Sequence, residues 1–340
     1  MGVVERARLW WRGVSSVSVV LLLTALVGAC RAASPEAITL VPTLEDREIP
    51  TDVPTLAVTP SPPTPVTKTV APTPTALPPS PTSSPMPTPT LDAEARPVTF
   101  TIVYDNNRYD GIEAKALRTS WGFACWITTE ERTVLFDTGG DGATLLHNLR
   151  EMDLDPLAVD AVVLSHAHGD HTGGLSALLG TGSRPPVYVP ASFSRAFKEG
   201  VRGQTDLVEV TAPMTVAPGI HTTGEMGTGI VEQALAVETE EGLVVVTGCA
   251  HPGVDSMVRR AHDHLDGQIA LVMGGFHLGG ASRRRVEGIV TDFRELGVQS
   301  VAPCHCTGDA ARGLFKEAFG EDCVLAGVGW STTFALKTNE

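Results

Sequence analysis

The chain has 340 residues, with 39 acidic residues against 25 lysines and arginines, which gives a formal charge of −14 at pH 7. This balance argues against a nucleic-acid partner, because binding a phosphate backbone requires a patch of clustered cations. Six cysteines without a regular spacing also argue against a fold built on disulfides. The folded part must therefore be held together mainly by its apolar core and not by disulfides.

The first residues predict an export signal. A basic start precedes an apolar run from Val14 to Ala29, which is too short for an ordinary membrane span. The run ends in Val27-Gly28-Ala29-Cys30, and small residues before a cysteine resemble the bacterial lipobox. We therefore predict a lipoprotein signal peptide over residues 1–29 and a lipid anchor at Cys30, which places the protein outside the cytoplasm on the cell membrane. An uncleaved signal anchor is the alternative.

Residues 30–96 predict a disordered linker after the anchor. Proline, threonine and serine dominate this segment, and it has few apolar residues to bury. Such a composition cannot offset the entropy lost on ordering, so we expect an extended stalk with polyproline II character. The texture changes at Pro97, and we assign residues 97–340 to one folded domain.

The folded domain begins with three predicted strands and a helix. Val98 to Tyr104, Trp121 to Thr128 and Thr133 to Asp137 predict the strands. Asp137 ends the third strand beside glycines, where a carboxylate can hydrogen-bond a metal ligand. Apolar residues at helical spacing then predict a helix from Ala143 to Met152.

A cluster of potential metal ligands follows the next predicted strand, the apolar run Val159 to Leu164. Within six residues the chain presents the pattern His-x-His-x-Asp-His, formed by His166, His168, Asp170 and His171. Imidazole and carboxylate ligands suit zinc first, then manganese or iron. One ion does not need all four side chains, so the pattern predicts a site for two divalent ions.

Beyond this cluster, strands and helices alternate, which indicates an α/β fold. Three later strands end in further potential ligands, and adjacent strand ends converge at one edge of a sheet. These residues are Cys249 and His251, His277, and His305. Cys304 and Cys306 flank His305, and we expect them to be thiols of the core or of the ligand surroundings.

Other charged and imidazole side chains are expected to lie away from the metals. His147, His262 and His264 fall on predicted helices, and His221 falls in a predicted turn. The basic run Arg283 to Arg285 has two interpretations. It holds an anionic group of the substrate, or it is a solvated cluster at the start of a helix.

Several motifs together resemble one known family. His166-Ala167-His168-Gly169-Asp170-His171 after a strand, with Asp137-Thr138-Gly139 upstream, resembles the metallo-β-lactamase superfamily. Gly248-Cys249-Ala250-His251-Pro252-Gly253 and His305-Cys306-Thr307-Gly308 resemble its subgroup named after an archaeal dihydropterin ribofuranosyl-aminobenzene phosphate synthase. The resemblance covers about residues 98 to 330.

The resemblance implies an αββα sandwich with two metal ions at one edge of its paired sheets. His166 and His168 would bind one ion, Asp170 and His171 the other, and a late histidine would complete each set. We choose His251 and His305 as these late ligands. The superfamily usually has an aspartate where Cys249 stands, so it stays open whether Cys249 or His251 reaches the metal.

The implied activity is hydrolysis of a small-molecule substrate, such as an ester or a phosphoester, by a hydroxide that bridges two zinc ions. Three alternatives remain. They are a pterin-related synthase activity, a β-lactamase or lactonase activity, and a non-catalytic binding or sensing role. Besides the metal ligands, we predict catalytic roles for Asp170, Asp137 and His277.

Overall fold

The computed structural model describes residues 96–111 and 116–337. The predicted signal peptide, the anchor Cys30 and nearly all of the predicted stalk lie outside the described residues. Within the described ranges, none of the helices combines the length and apolar character needed to cross a bilayer.

Seven strands form the first sheet, in the order β13-β1-β2-β3-β4-β5-β6. Neighbours from β13 to β3 are antiparallel, and neighbours from β3 to β6 are parallel. The strands are β1 Pro97–Tyr104, β2 Ala124–Thr129, β3 Thr133–Phe136, β4 Ala161–Val163, β5 Val187–Pro190, β6 Leu207–Val210 and β13 Ser331–Ala335.

Six strands form the second sheet, in the order β12-β11-β10-β9-β8-β7. The pairs β10-β11 and β11-β12 are parallel, so the carboxyl ends of these three strands lie side by side. The strands are β7 Met214–Ala217, β8 Ile220–Thr222, β9 Leu235–Thr239, β10 Gly242–Thr247, β11 Ile269–Gly275 and β12 Ser300–Cys304.

Helices cover the outer face of each sheet. In the first sheet, α1, α3 and α4 share a core with β1 to β5; in the second, α5, α6 and α7 share a core with β10 to β12. The helices are α1 Gly142–Glu151, α2 Gly169–Thr172, α3 Leu175–Gly180, α4 Arg195–Arg202, α5 Val254–Leu265, α6 Arg283–Glu295 and α7 Asp309–Phe319. Three short 3-10 helices span Pro156–Ala158, His305–Thr307 and Gly320–Asp322.

The inner faces of the two sheets form a third apolar core. Phe100 and Ile102 of β1 alternate with half-buried threonines, and they pack in one cluster with Val244 and Val246 of β10. This alternation follows from the period of two along a strand. The predicted αββα sandwich of the α/β class is therefore confirmed.

Some local predictions were wrong. The strand β2 begins at Ala124 instead of Trp121, and β3 ends at Phe136 because Asp137 has a φ of 58°, which ends an extended strand. His221 lies within β8, where its Nε2 is 2.9 Å from Glu238 Oε2, and not in a turn. Within the described part, the sequence interpretation also missed the strands β7, β8, β9 and β13, the helices α2 and α7, and the three 3-10 helices.

Candidate metal centre

The predicted site residues all follow the carboxyl ends of strands at one end of the sandwich. The first sheet supplies one part of the set and the second sheet the other. Asp137 follows β3; His166, His168, Asp170 and His171 follow β4; Cys249 and His251 follow β10; His277 follows β11; and His305 follows β12.

Backbone strain accompanies these strand ends. Of the six non-glycine residues with positive φ in the described ranges, four lie here: Asp137, Ala250, His277 and His305. A left-handed residue reverses the chain direction directly after a strand, at a cost of order 1 kcal/mol or more. The chain therefore turns sharply where the ligands must point at each other.

One group of donors contains three histidines and a thiol. The ring centroids of His166 and His251 lie 4.6 Å apart, and those of His168 and His251 lie 4.9 Å apart. His166 Nε2 is 3.0 Å from His168 Nδ1. Donor atoms of His166, His251 and Cys249 all lie within 4.8 Å of one another. These side chains surround one point, as ligands of one ion must.

A second group contains Asp170, His171 and His305, again with Cys249. Asp170 Oδ2 is 3.6 Å from His171 Nε2 and 3.5 Å from His305 Nε2. Cys249 Sγ is 3.2 Å from His171 Nε2 and 3.4 Å from His305 Nε2. Around a tetrahedral zinc ion, neighbouring ligand atoms are separated by roughly 3.3 to 3.6 Å. The donors therefore fit a zinc-sized ion in number, type and spacing.

Cys249 belongs to both groups and lies between them. The sequence left open whether Cys249 or His251 reaches the metal, and the structure brings both side chains to the cluster. The thiol is buried, and its neighbours on either side are imidazoles.

Four buried or nearly buried histidines share one orientation. In each, Nδ1 hydrogen-bonds a neighbouring oxygen, which leaves Nε2 free to face the cluster. The pairs are His166 with Ser165 Oγ at 2.8 Å, His171 with Asp137 Oδ2 at 2.7 Å, His251 with Glu232 Oε2 at 2.9 Å and His305 with Asn106 Oδ1 at 2.9 Å.

Asp137 supports two of these histidines. Its carboxylate accepts the Ser165 backbone N–H at 2.6 Å and the Ser165 hydroxyl at 2.7 Å, and it binds His171 directly. Because the hydroxyl hydrogen goes to Asp137, Ser165 Oγ accepts from His166. Asp137 therefore lies behind the ligands and acts through His171 and His166.

Burial controls the protonation of the cluster. Burial and the neighbouring His171 lower the pKa of His166 to about 2, so this imidazole is neutral and able to bind metal at pH 7. Burial also disfavours a charge on His171, but Asp137 outweighs this effect and raises the pKa of His171. Burial in turn raises the pKa of Asp137.

Sequence reasoning missed three supporting residues. Asp105 Oδ2 accepts the His305 backbone N–H at 3.0 Å, and Asn106 holds the ring of the same histidine. Glu232 is fully buried beside His251. Although burial opposes its ionisation, hydrogen bonds from the His251 ring and from the backbone N–H groups of Ala250 and His251 hold the pKa of Glu232 at about 2. Asp105 and Asn106 directly follow β1, as the other candidate site residues follow their strands. This position was the one signal in the sequence that could have indicated their role.

The rim of the cluster carries exposed rings. His277 is exposed, with its ring centroid 4.4 Å from that of His251. A hydrogen bond with the Cys306 thiol raises the pKa of His277. Trp121 is 58% exposed, with its ring centroid 5.0 Å from that of His305. These two side chains therefore form part of the exposed rim of the cluster.

Several residues lie away from the cluster, as the sequence indicated. His147 Nε2 contacts the Ala116 carbonyl at 2.7 Å, and His262 Nδ1 contacts Asp263 at 3.3 Å. In the basic run, Arg283 pairs with Glu287 and Glu317, and Arg285 pairs with Asp255. The acidic partners belong to α5, α6 and α7.

Comparisons with known proteins agree with this fold. Residues 122–270 match the family model described as the metallo-beta-lactamase superfamily. The chain is 28% identical over 239 residues to a Methanocaldococcus jannaschii protein, 7,8-dihydropterin-6-methyl-4-(beta-D-ribofuranosyl)-aminobenzene-5'-phosphate synthase. That match covers 56% of this chain and 81% of the relative.

Solved structures extend the likeness over most of the described part. One is a metal-dependent hydrolase of the beta-lactamase superfamily, with a TM-score of 0.57 and 28% identity, covering 69% of this chain and 98% of that one. A metallo-beta-lactamase fold protein from Bacillus subtilis has a TM-score of 0.54 at 18% identity, covering 70% of this chain and 99% of that one, and supports the fold alone. The chain therefore carries a domain of the metallo-beta-lactamase superfamily, and a metal-dependent hydrolase is among the solved structures that resemble it.

Proposed function

We propose that this domain binds two zinc ions and hydrolyses a small ester or phosphoester. The observation that carries the proposal is the double set of donors. Each group supplies at least three ligand atoms, those of the second group are at tetrahedral spacing, and the two groups meet at Cys249. One tetrahedral ion would leave several of these buried donors without a partner.

Zinc suits this set better than manganese. A thiolate is a soft ligand, and imidazole also favours zinc, whereas manganese prefers oxygen donors. Here only Asp170 offers oxygen, against one sulfur and five imidazoles in the two groups and His168. Manganese and iron remain the alternatives that metal analysis distinguishes.

The chain's own residues position the substrate and move protons. When bound, the ions supply Lewis-acid activation of water and of a carbonyl or phosphoryl group. Burial of Asp170 favours its neutral form, but the hydrogen bond from His305 and the charge of His171 lower its pKa below the usual range. Asp170 therefore stays ionised at neutral pH and orients the attacking water by accepting its hydrogen bond. His277, at the rim, is placed to donate a hydrogen bond to the leaving group.

Three alternatives rest on likeness or on general chemistry. A pterin-related synthase activity follows from the 28% identity to the Methanocaldococcus jannaschii relative. A β-lactamase or lactonase would use the same ions on a cyclic amide or ester. A binding or sensing module would keep the ligands without turnover.

We also propose that Cys30 anchors the protein to the outer face of the cytoplasmic membrane. The substrate would be a small molecule. The support is the lipobox-like sequence before Cys30 and the Pro/Thr-rich segment after it. The protein should fractionate with membranes, and Cys30→Ser should abolish lipid attachment. Unchanged lipid labelling of the variant would refute the anchor.

Metal analysis and a substrate panel test the main proposal. Protein purified without chelator should contain about two equivalents of zinc and should hydrolyse at least one of a phosphodiester, a lactone and a β-lactam. His251→Ala should remove most metal and activity, and the helix-surface variant His262→Ala should retain both. A reproducible single equivalent under metal-replete conditions would contradict the dinuclear site, and full metal content without any turnover would favour the binding module.

A further inference from the structure

Two consecutive residues before β9, Glu232 and Gln233, connect the two halves of the metal centre. Gln233 donates its backbone N–H to Ser165 O at 3.0 Å and its Nε2–H to Leu164 O at 2.9 Å, which fixes the end of β4 before His166. Glu232 contacts the loop after β10 instead. The segment therefore contacts the loop after β10 through Glu232 and the residues directly before His166 through Gln233.

Both carboxylate oxygens of Glu232 accept hydrogen bonds from residues 249–251, the loop that carries Cys249 and His251. Oε1 accepts the backbone N–H groups of Cys249 and Ala250, both at 2.8 Å. Oε2 accepts the backbone N–H of His251 at 2.9 Å and lies 2.9 Å from His251 Nδ1. Four donors from three consecutive residues thus converge on one carboxylate, and three of them come from the backbone.

The effect on the early ligands is weaker. Glu232 Oε1 lies 3.9 Å from His166 Nδ1, which is too long for a hydrogen bond, and His166 is already held by Ser165. A fully buried carboxylate without a Lys or Arg partner is costly unless every lone pair is used. The contacts of Glu232 with residues 249–251 meet this requirement.

We propose that Glu232 is a positioning residue that sets the late ligands before metal arrives. By accepting from His251 Nδ1 it fixes the tautomer that leaves Nε2 free for the metal, and by binding three backbone N–H groups it holds Cys249 at the point between the two donor groups. This inference rests on the proposed metal centre and assigns to Glu232 a role that acts through other side chains.

Glu232→Gln tests the role with little change of volume. An amide oxygen can replace one carboxylate oxygen, but the amide NH2 opposes the remaining donors. Loss of a partner that orients a ligand typically costs 10- to 100-fold in metal affinity. We expect a loss of this size in zinc affinity, measured by competition with a chromogenic chelator on the full folded domain.

Glu238→Gln is the matched control. Glu238 Oε2 lies 2.9 Å from His221 Nε2, which is the same pair type at the same distance but between β8 and β9. This variant should bind zinc like the wild type. If both variants lose affinity equally, the effect is a general consequence of removing a Glu–His pair, and the proposal fails.

A double-mutant cycle separates positioning from mere stability. If Glu232 acts through His251, Glu232→Gln should weaken zinc binding much less in the His251→Ala background than in the wild type. If Glu232→Gln weakened zinc binding by the same factor in both backgrounds, Glu232 would not act through His251. A wild type that binds a single equivalent would refute the dinuclear proposal, while the ratio between Glu232→Gln and Glu238→Gln would still decide the role of Glu232.

One measurement needs no variant of Glu232, in case Glu232→Gln fails to fold. In zinc-loaded wild-type protein, nitrogen–proton NMR of the histidine rings should show the His251 proton on Nδ1, with signals assigned by comparison with His251→Ala. A metal-bound Nδ1, or a proton on Nε2, would contradict the proposed tautomer.

Discussion

Gly248 is a residue where the metal centre leaves no space for a side chain. A Cβ at this position would lie 2.1 Å from Ser165 Oγ and 2.9 Å from Asp137 Oδ2. Gly248→Ala should therefore displace the Asp137–Ser165 pair that orients His171 and His166. We expect a destabilisation of about 1 to 3 kcal/mol, together with weaker zinc binding.

Thermal unfolding and zinc titration check this prediction. Gly288 in α6 is the control, because it is exposed and a Cβ there meets nothing within 4 Å. Gly288→Ala should be neutral or stabilise by up to about 1 kcal/mol, since alanine favours the helix. Similar losses in both variants would show that crowding at Gly248 is not the cause.

The neutral state of His166 predicts how stability depends on pH. Its pKa is lowered to about 2 in the fold, and an unfolded chain has the ordinary value near 6.5. Between these values the unfolded state binds more protons, so acid favours unfolding. This contribution is fully present above about pH 6.5 and is lost as the pH falls.

Chemical denaturation of metal-free protein tests this dependence. The free energy of unfolding of the wild type minus that of His166→Gln should be measured at each pH. This difference should decrease by up to about 1.4 kcal/mol per pH unit as the pH falls from 6 to 5. Parallel curves for the two proteins would mean that His166 is not held neutral.

At the scale of single residues, local patterns predicted the candidate ligands and one supporting residue, Asp137, but not the other residues that orient them. His166, His168, Asp170 and His171 stand within six residues, so one stretch reveals them. Glu232 lies 19 residues from His251, and Asn106 lies 199 residues from His305. Such pairings are set by the fold, and no pattern in one sequence reports them.

Among the elements, α6 bears on the two interpretations of the basic run. Arg283 and Arg285 face acidic side chains of α5, α6 and α7, and these ion pairs are largely exposed. Exposed pairs contribute about 0 to 1 kcal/mol each. The geometry therefore favours a solvated helix start over a substrate contact.

Replacing Arg283, Arg284 and Arg285 together by Gln should change stability only slightly. Turnover of an anionic and a neutral substrate should change by the same factor, measured as kcat/KM on matched compounds. A selective loss with the anionic substrate would restore the recognition role.

Elements were predicted best where the pattern was strong. Apolar residues recur at helical spacing from Val254 to Leu265 and predict a helix with these bounds, which are the bounds of α5. The strands β7 and β8 have only 4 and 3 residues, too few to show a period, and β13 presents exposed polar residues at the edge of its sheet. Their pairing with neighbouring strands, and not their own sequence, makes them strands.

At the scale of the whole molecule, the candidate ligands come from both sheets. His166 and His171 belong to the first sheet, and His251 and His305 belong to the second. Any ion bound by both sets stabilises the folded state and not the unfolded one. At a free ion concentration 100 times the dissociation constant, this amounts to about 2.7 kcal/mol per site.

Removal of metal by a chelator should lower the unfolding temperature, and zinc should restore it in proportion to its concentration. His262→Ala, on the outer surface of α5, should show the same shift as the wild type. An unfolding temperature insensitive to chelator and to zinc would contradict a metal that bridges the sheets. The sandwich itself followed from the resemblance, since the strand order of the two sheets leaves no local trace in the sequence.

The two ends of the described chain emerge together, on the side of the molecule away from the metal centre. Pro97 opens β1 and pairs directly with Ala335 at the end of β13, and the other end of β1 leads to Asp105 beside His305. The 8 residues of β1 span roughly 25 Å. A solid support attached to the described domain beside Pro97 or Ala335 would thus face away from the candidate metal centre and leave that end of the sandwich open to solvent.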